Sequence, residues 1–422
     1  MRFFYSLALL LLMPVALTWL AWRTWRQTGR LDRVGERLGS FPYLPPRQTL
    51  WVHGASVGEI RAALPLVNAL HRKYPQRPLL VTSFSGAGRA HAQELFGDRA
   101  MVAQLPYDFP WCVQRWMRSV QPAVGVIMET EIWPNLLAGC WKYRAPVVMV
   151  SARLSARSMR RYLKLRRLTR TALARVTRIA AQSAGDAERF VELGAAPERV
   201  GVGGNLKFDL RFADDLVPRA QSLRQRLFAG SGVCVAGSTR EGEEQIVLRA
   251  FAQVCARRAD SVLVLAPRHP ERAEAVAALV RKAGFNCRRR SQGEHALHAG
   301  EVLLVDTLGE LALFYAAGDV AFVGGSLVAV GGHNLLEPAA LGKPVLAGSS
   351  LDNVRESAEA LRQAGVLIPV QDAGTLADAV VWLLDKPEMR DRIGQVALDA
   401  VTANRGAVER ALGLIESQVV GA

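Results

Sequence analysis

The run Phe322-Val323-Gly324-Gly325-Ser326, followed by Gly331-Gly332-His333-Asn334-Leu335-Leu336-Glu337-Pro338 and Pro344-Val345-Leu346-Ala347-Gly348, reads as a buried strand, a glycine loop, a helix with a polar face and a second buried strand. Glycines let a backbone approach a phosphate, and a helix N-terminus presents unbonded N–H groups and the positive end of its dipole. Asn334 and Glu337 are three apart and share a helix face. Such a run suits a nucleotide pocket with its carboxylate set for ribose hydroxyls, the plainer alternative being an ordinary turn of a parallel sheet.

Ionisable residues recur at other strand ends. His53-Gly54-Ala55-Ser56-Val57-Gly58-Glu59 follows an apolar run and puts Glu59 in a first helical turn, as a general base or as a carboxylate that only complements the helix dipole. Glu129-Thr130-Glu131-Ile132-Trp133-Pro134-Asn135 sets two carboxylates before a proline-started helix, with Glu129 the organiser of acceptor and base and Glu131 a helix cap. Ser238 or Thr239 can cap the helix that follows or bind phosphate, and Arg268, between Pro267 and Pro270, suits a phosphate or base contact. Asp306-Thr307-Leu308-Gly309-Glu310 offers turn amides, and Lys207 is a cation for a leaving phosphate, a substrate carboxylate or merely the hinge surface. Paired acids can hold a metal, but no histidine is spaced to help and no Asp-x-Asp occurs, so no metal is expected.

The elements that position these residues alternate. Apolar runs 50–52, 79–82, 125–128, 146–150, 179–182 and 200–202 are separated by amphipathic stretches, among them a helix over 58–74. The pattern restarts with 233–236, 261–266, 301–305, 320–323 and 344–347. Alternating β and α implies two parallel sheets wrapped by helices, in Rossmann-like domains over 26–208 and 209–422, with the expected site in the cleft between them.

The chain has 422 residues, half of them apolar, which supports a sizeable core and argues against disorder. Five scattered cysteines form neither a disulfide framework nor a zinc pattern and fit a reducing compartment. Phe3 to Trp22 is uncharged and nearly all apolar, so residues 1–25 are expected to anchor the chain in a membrane, spanning it or dipping into it. Arg23, Arg26, Arg30, Arg33 and Arg37 then place the remainder in the cytoplasm. The net charge of +15, and nine basic residues between Arg157 and Arg178 with no acid among them, point to a lipid or phosphate partner rather than nucleic acid.

These blocks, in this order, resemble the bacterial 3-deoxy-D-manno-octulosonic acid (Kdo) transferases of lipopolysaccharide assembly. The resemblance runs from the apolar N-terminus to nearly the last helix. It rests on Ser56-Val57-Gly58-Glu59, Met128 to Asn135, Ala152-Arg153-Leu154-Ser155-Ala156-Arg157-Ser158, Leu206-Lys207-Phe208-Asp209, Pro267 to Arg272 and the Gly-Gly-His-Asn run. It implies an inverting GT-B glycosyltransferase that moves Kdo from CMP-Kdo to a lipid A precursor at the cytoplasmic face of the inner membrane, without a cofactor. Glu59 would match the catalytic base, and Glu129 and Lys207 would stabilise the transition state. Pro267, Arg268, Leu308, Gly309, Glu310, Asn334, Leu335, Leu336 and Glu337 would contact CMP. The segment Gly348-Ser349-Ser350-Leu351-Asp352-Asn353-Val354 departs from the family's usual Gly-Pro-His-Thr-Phe-Asn-Phe, so contacts there are not carried over. The rivals are a GT-B enzyme of UDP-sugars, akin to a lipid A disaccharide synthase or an epimerase, and a membrane-tethered anion-binding protein without catalysis.

Overall fold

Strands such as Thr49–Gly54 are buried on both faces, which a sheet permits only when helices cover both sides. The computed structural model describes residues 1–11, 13, 34–41 and 48–419 and divides into two compact units, residues 1–209 with 405–422, and residues 210–404. Each unit is built on one seven-stranded parallel sheet.

The first sheet contains β1 (Thr49–Gly54), β2 (Leu79–Ser83), β3 (Met101–Gln104), β4 (Pro122–Met128), β5 (Val147–Ala152), β6 (Arg178–Ala181) and β7 (Val200–Val202). Its order, β3-β2-β1-β4-β5-β6-β7, reverses direction between β1 and β4. Alternation along β1 feeds two cores, Leu50 and Val52 into one and Trp51 into the other. The second sheet contains β8 (Gly232–Thr239), β9 (Ser261–Pro267), β10 (Cys287–Arg289), β11 (Val302–Leu304), β12 (Val320–Val323), β13 (Val345–Ala347) and β14 (Leu367–Pro369). Its order is β10-β11-β9-β8-β12-β13-β14, the same doubly wound plan with β10 added at one edge and the reversal between β8 and β12. Open α/β sheets bind ligands beyond the carboxyl ends of their strands at these reversal points.

The expected second domain, 209–422, is corrected at both its ends. Asp209 belongs to the first unit, and so does the helix Ala407–Val419. Ala407, Val408, Ala411, Ile415 and Val419 form one apolar stripe and enter the same core as Val52, Val126 and Val148. The Asp209 carboxylate accepts the Gly406 N–H at 2.7 Å and the Val408 N–H, filling donors that a helix N-terminus leaves open. One expected helix is also divided. The stretch 58–74 breaks at Ala63 into Val57–Ala62 and Leu64–Lys73, where Pro65 lacks an N–H to continue the ladder. The arginine-rich stretch forms Ala156–Leu163 and Arg166–Leu173.

Of the expected anchor, residues 12 and 14–25 lie outside the described residues, as do Arg26, Arg30 and Arg33. Residues 2–11 are helical, and Tyr5 donates to Asp108 at 3.1 Å while the Ser6 hydroxyl pairs with the Asn135 amide. Among the described residues no helix is long and apolar enough to cross a membrane.

Asp209→Ala removes the acceptor for two amides at the start of the last helix. It is expected to destabilise the first unit by about 1–3 kcal/mol and to speed hydrogen exchange in Ala407–Val419 but not in Glu243–Arg257. Urea unfolding and exchange mass spectrometry check the two effects.

Candidate active site

In the first unit, Glu59 follows β1 and Glu129 follows β4, the two strands that flank the reversal. Ser56 caps the helix Val57–Ala62 and receives the Glu59 N–H at 3.3 Å. The Glu59 carboxylate turns back to accept the Ala55 N–H at 2.7 Å and the Ser56 hydroxyl at 3.0 Å, a variant of the reciprocal capping pattern. Burial nonetheless raises its pKa, and the Glu129 charge raises it further, while Lys207 acts in the opposite direction.

Lys207 lies in a short 3₁₀ turn, Leu206–Phe208, and its Nζ sits 3.1 Å from Glu129 Oε1. The turn is held from two sides: Asn205 Oδ1 accepts the Lys207 N–H at 2.9 Å, and Ser151 Oγ accepts the Leu206 N–H at 2.9 Å. Glu129 has φ of 53° and Ser151 of 49°, left-handed values that cost a residue with a side chain energy and that cluster at functional sites.

Glu131 does not cap the helix Pro134–Lys142 as expected. Asp108 does so, accepting the Asn135 N–H at 3.0 Å and the Leu136 N–H at 2.7 Å. Glu131 instead accepts the Trp133 indole N–H at 2.6 Å, and burial, then the Glu59 charge, push its pKa up to about 7. Trp133 stacks on Phe84 with centroids 5.1 Å apart, and the Arg37 guanidinium lies 4.7 Å from the Phe84 ring. Three carboxylates, one lysine and an aromatic wall therefore share the reversal point. Among the described residues no group of three His, Cys, Asp or Glu side chains is arranged to hold a metal ion.

The second unit places its expected residues at the same edge of its own sheet. Arg268 follows β9, its N–H bonded to the Thr239 carbonyl at 2.9 Å; Leu308, Gly309 and Glu310 follow β11; Asn334 to Glu337 follow β12. The helix is only Leu336–Ala340, so Asn334 precedes it, accepting the Leu336 N–H at 3.1 Å and donating to Glu337 Oε1 at 3.0 Å. Glu310 is clasped by Arg290, with bonds of 2.8 to 3.2 Å that hold its pKa below the usual carboxylate value, which leaves Leu308, 81% exposed, at the tip of the turn.

Glu243, which the sequence alone does not single out, organises this half. It is fully buried, and its two oxygens accept the N–H groups of Arg240 at 2.9 Å, Gly325 at 2.6 Å, Ser326 at 2.9 Å and Leu327 at 2.8 Å. The amides of Gly325 and Ser326 are thus committed to a protein carboxylate. The glycines here serve close packing instead: a Cβ on Gly324 would lie 2.6 Å from the Ser238 carbonyl oxygen. Neighbouring Glu244, also fully buried, receives Arg272 at 2.7 Å and so fixes the segment after β9. Ser238 and Thr239 end β8 rather than capping the helix Glu243–Arg257. The divergent segment after β13 braces the loop, since Ser350 Oγ accepts the Gly331 N–H at 2.9 Å and Asn353 donates to the Val330 carbonyl at 2.7 Å. The sequence signal for Glu243 is a glutamate pair opening a helix at the reversal strand, which reads equally well as ordinary dipole complementation.

Two outcomes follow from these environments. A carboxyl with a folded pKa near 7 and an unfolded value near 4.5 binds more protons when folded, so its contribution to stability falls as pH rises from 4.5 to 7 and stays lost above. Glu131→Gln is therefore expected to stabilise the fold at pH 8.5 by up to about 2 kcal/mol after discounting for solvent, read as a higher melting temperature, with no gain at pH 4. Glu243→Gln, which leaves one acceptor oxygen for four amides, is expected to destabilise the second unit by about 2–3 kcal/mol in urea, whereas exposed Glu241→Gln changes it little.

Comparison with known proteins agrees with this architecture. Residues 32–210 match the family described as 3-Deoxy-D-manno-octulosonic-acid transferase (kdotransferase), and residues 245–399 match Glycosyl transferases group 1. The 3-deoxy-D-manno-octulosonic acid transferase of Haemophilus influenzae is 38% identical over 418 residues, covering 98% of each chain. That of Bordetella pertussis is 38% identical over 434 residues, again with 98% of both chains. Among solved structures, the UDP-GlcNAc 2-epimerase of Neisseria meningitidis bound to UDP-GlcNAc has a TM-score of 0.55 at 13% identity, covering 89% of this chain and 100% of its own, a likeness of fold alone. With two parallel-sheet α/β units of GT-B-like plan and relatives matched along almost its whole length, the chain belongs to the 3-deoxy-D-manno-octulosonic acid transferase family.

Proposed function

We propose that this glycosyltransferase takes Kdo from CMP-Kdo and places it on the lipid A precursor of lipopolysaccharide, with inversion at the anomeric carbon. The observation that carries the chemistry is Glu59: a carboxylate at the reversal point whose burial makes it a better proton acceptor than a free glutamate. In this reading Glu59 removes the proton of an acceptor hydroxyl, whose oxygen forms the new bond to the anomeric carbon. The bond from that carbon to the CMP phosphate oxygen breaks, and its electron pair leaves with the phosphate. Lys207, oriented by Glu129, supplies positive charge to the transition state, so the proposal includes no metal cofactor. Trp133 on Phe84 offers an apolar wall to a sugar ring. The CMP contacts belong to the second unit, at Pro267 and Arg268, Leu308 to Glu310 and Asn334 to Glu337.

The acceptor is a lipid, and the N-terminal helix suits a membrane surface. Tyr5 and Ser6 bond it to the first unit, whereas Phe3, Phe4, Leu7, Leu10 and Leu11 are exposed. This favours a helix lying in the cytoplasmic interface of the inner membrane, beside arginine-rich helices that attract anionic lipids.

Glu59→Gln is expected to lower transfer from CMP-Kdo to tetraacyl lipid A precursor about 10²- to 10⁴-fold while leaving CMP affinity within about twofold, because base and donor contacts lie in different units. Product mass spectrometry and calorimetric CMP titration measure the two quantities. Tighter binding of UDP than CMP would overturn the donor assignment, and unchanged transfer by the variant would remove Glu59 from the mechanism.

A further inference from the structure

A second cationic feature of the first unit lies apart from the Glu59–Glu129–Lys207 cluster. The helix of residues 2–11 sets Arg2 beside the helix Arg166–Leu173, and the two enclose an open cavity of about 650 Å3. Arg2, Arg167, Arg170 and Arg175 line it, together with Thr171 and Phe3, and among the described residues no acidic side chain does. Among the described residues these four arginines make no ion pair. Burial, and then the charge of Arg2, push the Arg175 guanidinium down, as like charges facing one another do. The carboxylate within the field of Arg2 is Asp108, whose oxygens are committed to the Asn135 and Leu136 amides and the Tyr5 hydroxyl.

Four guanidiniums around one cavity favour an anion of more than one charge. A phosphomonoester carries nearly two at neutral pH and accepts paired N–H groups from each guanidinium, whereas a phosphodiester carries one. The rim specifies the rest of the molecule. Phe3 is 73% exposed at the mouth and continues into exposed Phe4, so a ligand seated by its phosphate meets an apolar surface immediately outside. We propose that this cavity is a binding site for the phosphomonoester head of a membrane lipid, held by Arg2, Arg167, Arg170 and Arg175 with the acyl chains against the Phe3–Phe4 face. The assignment rests on the interfacial reading of the N-terminal helix and adds a stoichiometric site to it.

The test is native mass spectrometry of the full chain released from detergent micelles that contain equal amounts of phosphatidic acid, a monoester, and phosphatidylglycerol, a diester. One phosphatidic acid per chain is expected to be retained in preference to phosphatidylglycerol. Arg170→Gln/Arg175→Gln should lower that occupancy at least about tenfold, the equivalent of one charge-assisted pair, with CMP affinity unchanged. Exposed Arg167→Gln alone should lower it in the same direction and stands in if the double variant fails to fold. Equal retention of the two lipids, retention that survives both variants, or no retained lipid would overturn the proposal. Titration of dioctanoyl phosphatidic acid below its micelle concentration reads the cavity without a bilayer, and flotation with phosphatidylcholine vesicles reads the apolar helix without a phosphomonoester. Failure of the site and failure of the interfacial reading are thereby distinguished.

Discussion

Loops at the carboxyl end of a parallel sheet expose backbone N–H groups that no neighbouring strand can accept, and this protein meets them with buried carboxylates. Glu243 takes four such amides and defines the loop after β12. Asp108 takes two at the start of Pro134–Lys142, Asp186 takes that of Leu154, and Glu36 takes that of Gln104. A carboxylate surrounded by N–H donors is far cheaper to bury than a bare one, so each of these acids fixes a loop from within the fold. The site geometry depends on that arrangement, because candidate ligand-facing residues sit on these loops or beside them.

The acids of the reversal point in the first unit have fewer backbone donors, although burial raises the pKa of Asp108 as well. Glu59 accepts one amide and one hydroxyl, Glu131 accepts one indole N–H, and both are held above their ordinary pKa by burial. One lysine serves the cluster through Glu129. Under-compensated carboxylates are a liability for folding and an asset for proton transfer. The left-handed backbone at Glu129 and Ser151 is of the same kind, a local cost carried at the residues that set the position of Lys207.

What the sequence made legible divides along physical lines. Strands buried on both faces announce themselves as continuous apolar runs, and β1, β2, β4, β8, β9 and β12 were readable on that ground. The edge strands β3, β10 and β14 were not, since Met101–Gln104 and Cys287–Arg289 lack such a run and Leu367–Pro369 is only three residues long. Glu59, Glu129 and Lys207 were identifiable as residue types at strand ends, but their meeting is a product of topology. Glu243 escaped notice because a glutamate in a first helical turn has a sufficient local explanation. The last helix was assigned to the wrong unit because amphipathic periodicity reveals an apolar face without naming the core that receives it.

That returning helix bears on how the protein is made. A ribosome completes residues 1–209 long before it reaches Ala407, so the newborn first sheet emerges with the core that includes Val52, Val126 and Val148 still uncovered. The second unit, contiguous from Leu210 to Asn404, has all its elements available earlier. Synthesis therefore favours maturation in reverse order, the second unit folding first and the unit that carries Glu59 closing only when the helix Ala407–Val419 docks on Asp209. The strand ends that carry Glu59 and Glu129 thus complete their core only with the last helix.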